Sequence, residues 1–209
     1  MIMLEGVTWF TQSAFRFRRG GKVVYIDPWH LPDDVDEADL ILITHGHGDH
    51  LSEKDLVKIR GEKTEIVVPE SSAEKVEDPK HTVNPGDEVK VAGVPIQAVP
   101  AYNKDSEFHP KDNSWVGYVI KLDGVTYYHT GDSDFIEEME AVTTDVMLIP
   151  VGGHYTMGPE GAAKAAKAVG PKLAVPMHWG DVVGSEVEVQ AFAKEWGGTT
   201  EILERGKEA

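Results

Sequence analysis

The sequence predicts an α/β fold in which helices cover β-sheets, and three observations carry that expectation. Short β-branched runs punctuated by Gly, Pro and Asp recur along the chain, first as a meander and then in alternation with helical patterns. Three segments carry helix-capping residues at their ends. Four of the apolar runs end in polar residues, which is how α/β proteins gather distant side chains along one rim.

The elements follow in order. Phe15 and Phe17 alternate with Arg16 and Arg18, Gly20-Gly21 supplies a tight turn and residues 23–26 return as a buried strand, so this stretch is a hairpin. Further strands are expected at residues 40–44, 65–68, 88–91, 95–99, 116–122, 125–129, 145–149 and 172–176. A first helix begins at Ser52 as N-cap, with Asp55 three residues on, and stops at Gly61. A second has Pro159 in its first turn and Gly170-Pro171 as its stop. A third, over residues 185–196, puts Val189, Phe192, Ala193 and Trp196 on one stripe and ends at Gly197-Gly198.

The 209 residues, 41% of them hydrophobic, suffice for one sizeable core, and residues 1–209 are expected to form a single domain. A formal charge of −16 disfavours nucleic acid and anionic membranes as partners, and an ordinary acidic surface accounts for most of it. With no cysteine, disulfides and thiolate metal sites are excluded, so any metal must be held by nitrogen and oxygen. The longest apolar runs, "VMLIPVGG" and "LILIT", are far too short to span a bilayer. The N-terminus lacks a basic leader followed by a long apolar stretch, so a cytoplasmic protein is expected.

The stretch "ITHGHGDHLS" crowds His45, His47, Asp49 and His50 into six residues. Gly46 and Gly48 let the loop fold back so that all four can face one centre. A lone histidine beside a strand is ordinarily a satisfied hydrogen-bond partner. No cap or packing need explains three imidazoles here, whereas a divalent cation does. Other strand ends deliver Asp27, Asp132 and His178.

His45-x-His47-x-Asp49-His50, following an apolar strand and a threonine, resembles the signature of the metallo-β-lactamase fold superfamily. The resemblance runs in the same order through Asp27, "YYHTGDSDFIEEM", "DVMLIPVGGHYTMGPEGA" and "PMHWGD", where it is similar to the branch of ascorbate-6-phosphate lactonase-like proteins and metal-dependent hydrolases. It implies a four-layer αββα sandwich with a dinuclear metal site on one edge. By the same resemblance His45 and His47 would bind one ion, Asp49, His50 and His178 the other, and Asp132 would bridge them. Asp27 would orient a ligand from behind. The third ligand of the first ion is assigned to His109, in the pattern "AYNKDSEFHPKDN", with Tyr102 closest to the usual position and His81 or a vacancy as alternatives. His81 stands before a strand and reads as a surface or turn residue. Gln12 occupies a position where many relatives carry a histidine; it can hydrogen-bond but cannot change charge near neutral pH.

The chemistry so implied is that of two dications about 3.5–4 Å apart that lower the pKa of a bridging water, giving a hydroxide that attacks a small lactone, ester or phosphoester. Asp49 is the candidate to orient that water and pass its proton on, and His154, in "VGGHYTMG" on the rim, is a second catalytic candidate. Zinc suits the ligand set first and manganese second, with nickel or iron also able to bind. His47 sets the chain apart from the di-iron oxygen reductases, which carry Glu there. The substrate is expected to be a small molecule, and an anionic one if Lys104, Lys111 and His154 receive a phosphate or carboxylate; solvated lysines are the plainer reading. A phosphodiesterase or nuclease, and a metal-binding or ligand-sensing module without turnover, stand as alternatives. The oligomeric state is open.

Overall fold

In the computed structural model, which describes residues 3–77, 80–104 and 106–209, the apolar runs pair into two six-stranded sheets. One holds β1 (Val7–Thr11), β2 (Ala14–Arg19), β3 (Lys22–Ile26), β4 (Leu40–Leu42), β5 (Glu65–Pro69) and β6 (His81–Val83) in chain order. The other holds β7 (Glu88–Val91), β8 (Val94–Pro100), β9 (Val116–Leu122), β10 (Val125–His129), β11 (Val146–Pro150) and β12 (Leu173–Met177), again in chain order from edge to edge. Short turns make the pairs from β1 to β3 and from β7 to β10 antiparallel. Longer connections make β3 to β6 and β10 to β12 parallel. Gly20 and Gly21, with φ of 61° and 72°, form the mirror-image turn that the β2–β3 hairpin requires, closing on the Arg19–Lys22 pair.

Side chains alternate across each strand, so both sheets have two buried faces. Leu40 and Leu42 point inward with Phe15, Phe17, Val24 and Ile26 against Tyr118, Ile120, Tyr127, Leu148 and Val175 of the second sheet. Ile41, between them, points outward with Tyr25, Ile43 and Ile66 against Leu56 and Ile59 of α1 (Glu53–Ile59). Tyr128, Met147 and Ile149 face outward from the second sheet against the alanines of α2 (Pro159–Val169) and Val189 and Phe192 of α3 (Glu186–Trp196). Helix, sheet, sheet and helix make the four-layer αββα sandwich. The helix ends fall where their caps stand: Ser52 accepts the Asp55 N–H, Gly170 is left-handed after α2, and Ser185 and Glu188 form a capping box.

Three departures from the sequence reading have local causes. The strand expected over residues 40–44 stops at Leu42, because the Thr44 N–H turns to donate to Asp27 Oδ1 at 2.7 Å. β1 was not expected as a strand because all five of its residues are buried, which erases alternation. His81 begins β6 instead of preceding a strand; this three-residue edge strand buries only Val83, too little for a periodic signal. Among the described residues no helix is long and apolar enough to cross a membrane.

Phe17 has no exposed surface and lies between Phe15 and Tyr127, with ring centroids at 6.3 and 4.9 Å. Phe17→Ala is expected to lower the unfolding free energy by about 3–5 kcal/mol through lost burial and the cavity left behind. Denaturant unfolding of the metal-free protein measures this; a loss below 1 kcal/mol, on the order of a conservative core swap, contradicts this packing role.

Candidate metal centre

Asp27 follows β3, Thr44 and the histidine motif follow β4, Asp132 follows β10 and His178 follows β12, so the carboxyl ends of four strands meet on one rim. Asp27 is the organiser beneath them. Its carboxylate accepts the Thr44 N–H at 2.7 Å, the Thr44 hydroxyl at 2.6 Å and His50 Nδ1–H at 2.7 Å. His50 Nε2 is thereby turned toward Asp49 and Asp132. Because the Thr44 hydroxyl hydrogen goes to Asp27, its oxygen is left to accept from His45 Nδ1 at 2.9 Å, which frees His45 Nε2 as a donor to an ion.

Among the described residues three groups of potential donor atoms lie within 4.8 Å of one another: His45, His47 and His109; Asp49, His50, Asp132 and His178; and Asp27, His45 and His50, of which the last is already tied together by the Thr44 and His50 hydrogen bonds to Asp27. His45 Nε2 stands 3.0 Å from His47 Nδ1. Asp132 Oδ2 stands 3.1 Å from both His50 Nε2 and His178 Nε2, and Asp49 Oδ2 stands 3.5 and 3.7 Å from the same nitrogens. Both ring nitrogens of the buried His109 lack a hydrogen-bond partner, and His50 Nε2 lacks one too, since its approach to Asp132 is short but not aligned as a hydrogen bond. Orphaned buried nitrogens are costly, and a divalent cation among nitrogen and oxygen donors would satisfy them. The residues present fit such an ion.

The loop between β8 and β9 brings His109 in. Ala101 N–H donates to Trp115 O at its two ends, Asn103 N–H donates to His109 O at 2.7 Å, and Asn103 Nδ2 donates to Asp132 O at 3.4 Å. Trp115 then packs over the first group, with its ring 4.3 Å from His109, 4.8 Å from His47 and 4.9 Å from His45. On the far side Gln12, Asp27 and His178 all adopt the left-handed backbone, with φ of 42°, 49° and 55°. Such strain persists only where surroundings over-determine it. Gln12 O accepts both the Trp9 indole N–H and the His178 N–H at 2.8 Å, and the Gln12 amide nitrogen lies 3.2 and 3.4 Å from the ring nitrogens of His178. A Cβ on Gly152 would come within 2.2 Å of His178 O, so only glycine fits there. His129 is structural: it bridges Ser13 O and the Gly131 N–H below Asp132.

The charges divide the imidazoles into two kinds. Burial, reinforced by neighbouring imidazoles, pushes His45 well below the usual histidine range, and burial brings His109 down to about 3, so both are neutral lone-pair donors. Burial also disfavours the charged forms of His50 and His178, but the carboxylates facing them outweigh it, raising His50 well above the usual range and His178 to about 9. Asp49 and Asp132 are held well below the usual carboxylate range by those imidazoles despite burial. Without an ion the second group therefore holds protons at neutral pH, and an ion must displace them. Metal loading at pH 7 is expected to release protons, read with an indicator dye in weak buffer; zero release contradicts this charge state. Because the folded pKa of His178 lies above its unfolded value, its contribution to metal-free stability is complete below about pH 6.5 and is lost as pH rises through about 9.

A cavity of about 450 Å³ opens onto the donors. His47, Asp49, His109, Asp132 and His178 line it together with Gly48, Phe108, Tyr155 and Val182. The other residues singled out in the sequence lie elsewhere. His154 is exposed and stands outside this lining, with its ring against Phe108 and Tyr155 at 5.6 and 4.3 Å. Tyr102 and Lys111 join Glu138, and Lys104 lies over the ring of Phe135. His81 is exposed and pairs with Glu65 at 2.7 Å. Sequence reasoning missed Ser13, Trp115, Phe108 and Val182, and read Thr44 as part of the motif without its role between Asp27 and His45. Only Thr44, next to the motif, left a local signal.

The beta-lactamase superfamily domain matches residues 6–178 of the chain. The UPF0173 metal-dependent hydrolase of Pyrococcus furiosus is 34% identical over 213 residues, covering 94% of each protein. Its counterpart in Nitratidesulfovibrio vulgaris is 36% identical over 215 residues, covering 92% of this chain and 87% of that protein. Among crystal structures, a protein from Parabacteroides distasonis assigned to the metal-dependent hydrolases superposes with a TM-score of 0.86 at 32% identity, over 95% of this chain and 92% of the other. Igni18, a metallo hydrolase from Ignicoccus hospitalis, superposes with a TM-score of 0.78 at 25% identity, over 96% and 95% of the two chains. With its αββα layers, its strand-end histidines and carboxylates and this likeness along nearly its whole length, the chain belongs to the metallo-β-lactamase superfamily and, within it, to the UPF0173 metal-dependent hydrolase family.

Proposed function

We propose that the protein is a dinuclear hydrolase acting on a small lactone, ester or phosphoester. The observation that carries the reading is the pair of adjoining donor groups, Asp132 in one of them, with the His45 and His50 rings 3.9 Å apart where the groups meet. Its carboxylate touches His50 and His178, and its charge also acts on His45 and His109. His45, His47 and His109 would hold one divalent ion, Asp49, His50 and His178 the other, and Asp132 both, with zinc foremost and manganese, nickel or iron as alternatives. When bound, such ions supply a Lewis acid and a water of lowered pKa.

The chain's own residues do the rest. Asp49 is less buried than Asp132 and faces the cavity, so it is the carboxylate able to take the attacking water's proton and return it to the leaving oxygen. Asp27 and Thr44 hold His50 and His45 in single orientations, so little reorganisation is needed. Trp115 packs against His45, His47 and His109 and holds their rings in place. Purified protein loaded with zinc or manganese is expected to hydrolyse at least one member of a panel of lactones, esters and phosphodiesters, to stop on chelation and to recover on reloading. No turnover of any member with two ions bound would favour a binding module.

A further inference from the structure

We propose that this site takes an uncharged substrate with a compact apolar group, namely a carboxylic ester or lactone bearing an alkyl or aryl substituent, in preference to a phosphoester. The inference rests on the hydrolase reading and narrows it. Beyond the donor residues, the cavity is walled by Phe108, Tyr155 and Val182, and among the described residues no lysine or arginine lines it. Phe108 and Val182 are 45% and 53% exposed, an uncommon state for large apolar side chains, and both face this one cavity. Phe108 meets Tyr155 edge to face at 4.7 Å, so the two rings form a continuous wall. An apolar group seated there would cover surface now open to water.

Each nearby cation already has a protein partner, Lys75 beside the histidine motif, where its charge reaches His47, and the others further off. Lys75 Nζ is held on Gly46 O at 2.9 Å. Lys111 lies on Glu138 and Tyr102, and Lys104 over Phe135. Arg205 binds Trp179 O and faces Asp181. A phosphoester carries charged oxygens that are ordinarily met by Arg or Lys as well as by metal ions, and the described lining offers neither Arg nor Lys, while Asp49 and Asp132 are acidic. An ester carbonyl makes no such demand. In the reaction the water oxygen bonds to the acyl carbon, the acyl C–O bond breaks, and the water's proton passes by way of Asp49 to the departing alkoxide, giving a carboxylic acid and an alcohol.

Esters sharing one leaving group test the inference: 4-nitrophenyl acetate, 4-nitrophenyl butyrate, 4-nitrophenyl phosphate and bis(4-nitrophenyl) phosphate, with the ion content of each protein measured alongside. The butyrate is expected to exceed the acetate in kcat/KM by roughly 10-fold, and both to exceed the phosphoesters. Phe108→Ala and Val182→Ser are expected to bring the butyrate-to-acetate ratio toward one, chiefly through KM. Phosphoesters hydrolysed as well as the carboxylic esters, or a ratio near one in the wild type, would overturn the inference while leaving the hydrolase reading intact. If the loaded protein hydrolyses nothing, the hydrolase reading fails. Saturation-transfer NMR with the uncharged ketone 4-phenylbutan-2-one then decides the pocket: binding weakened by Phe108→Ala supports it, and no binding overturns it.

Discussion

Asp132→Ala is expected to bind fewer divalent ions than the wild type, dropping from close to two per chain to one or none, and to lose hydrolytic activity by far more than 100-fold. The reason is geometric and electrostatic together. Asp132 Oδ2 is 3.1 Å from Nε2 of both His50 and His178, and its charge reaches the first histidine group as well. Removing it takes away the main counter-charge of two buried imidazoles and, on the proposed two-ion reading, would take away a donor to both ions. Loss of groups that merely support a metal ligand typically costs about 10–100-fold, so loss of a carboxylate proposed to hold the ions directly is expected to cost more. Elemental analysis after dialysis against limiting zinc provides the count. The variant should also release fewer protons on loading, because His50 and His178 lose the partner that holds their protons. Retention of both ions with wild-type affinity would remove Asp132 from the shared position.

His109→Ala is expected to weaken ion binding at the first group by more than about 100-fold, whereas His81→Ala leaves it unchanged. His45 and His47 supply two nitrogens, and a catalytic zinc site ordinarily takes three protein ligands. His109 is 1% exposed, is held neutral by burial and has no partner for either ring nitrogen. A buried imidazole in that state is either a defect or a ligand. His81 is exposed and already pairs with Glu65, while the Tyr102 hydroxyl is occupied by Glu138 and Lys111. Competition titration against a chromophoric chelator reads both affinities. Two sites of wild-type strength in His109→Ala would return Tyr102 or a vacancy to consideration.

Much of the fold was legible because its signals are local. The hairpin at Gly20-Gly21, the strands at residues 116–122 and 125–129 and the capped helices each follow from a turn, a period of two or a period of 3.6 within one short segment. Where a strand was missed, the period was missing: β1 is buried on both faces and β6 buries one residue. The histidine motif was legible for the same reason, since four donor residues lie within six positions. Lys104 and Lys111 show the opposite case. Sequence reads them as solvated lysines first and as anion binders second, and their partners Glu138 and Phe135 have no signal near either lysine in the chain.

By itself, then, the sequence determined that helices cover β-sheets, with the four-layer order implied by its family resemblance, the nitrogen-and-oxygen character of the metal ligands and the chain positions at which strands hand over to Asp27, His45, Asp132 and His178. Only the tertiary structure decided that Thr44 ties Asp27 to His45, that His109 reaches the first group under Trp115, and that Phe108, Tyr155 and Val182 wall the cavity with no lysine or arginine among its described lining residues. The physical reason is that periodicity and capping are set by neighbours along the chain. Which loop faces which depends on strand order and register, and the parallel pairing of β3 with β4 and of β11 with β12 brings residues far apart in sequence to within a hydrogen bond of one another.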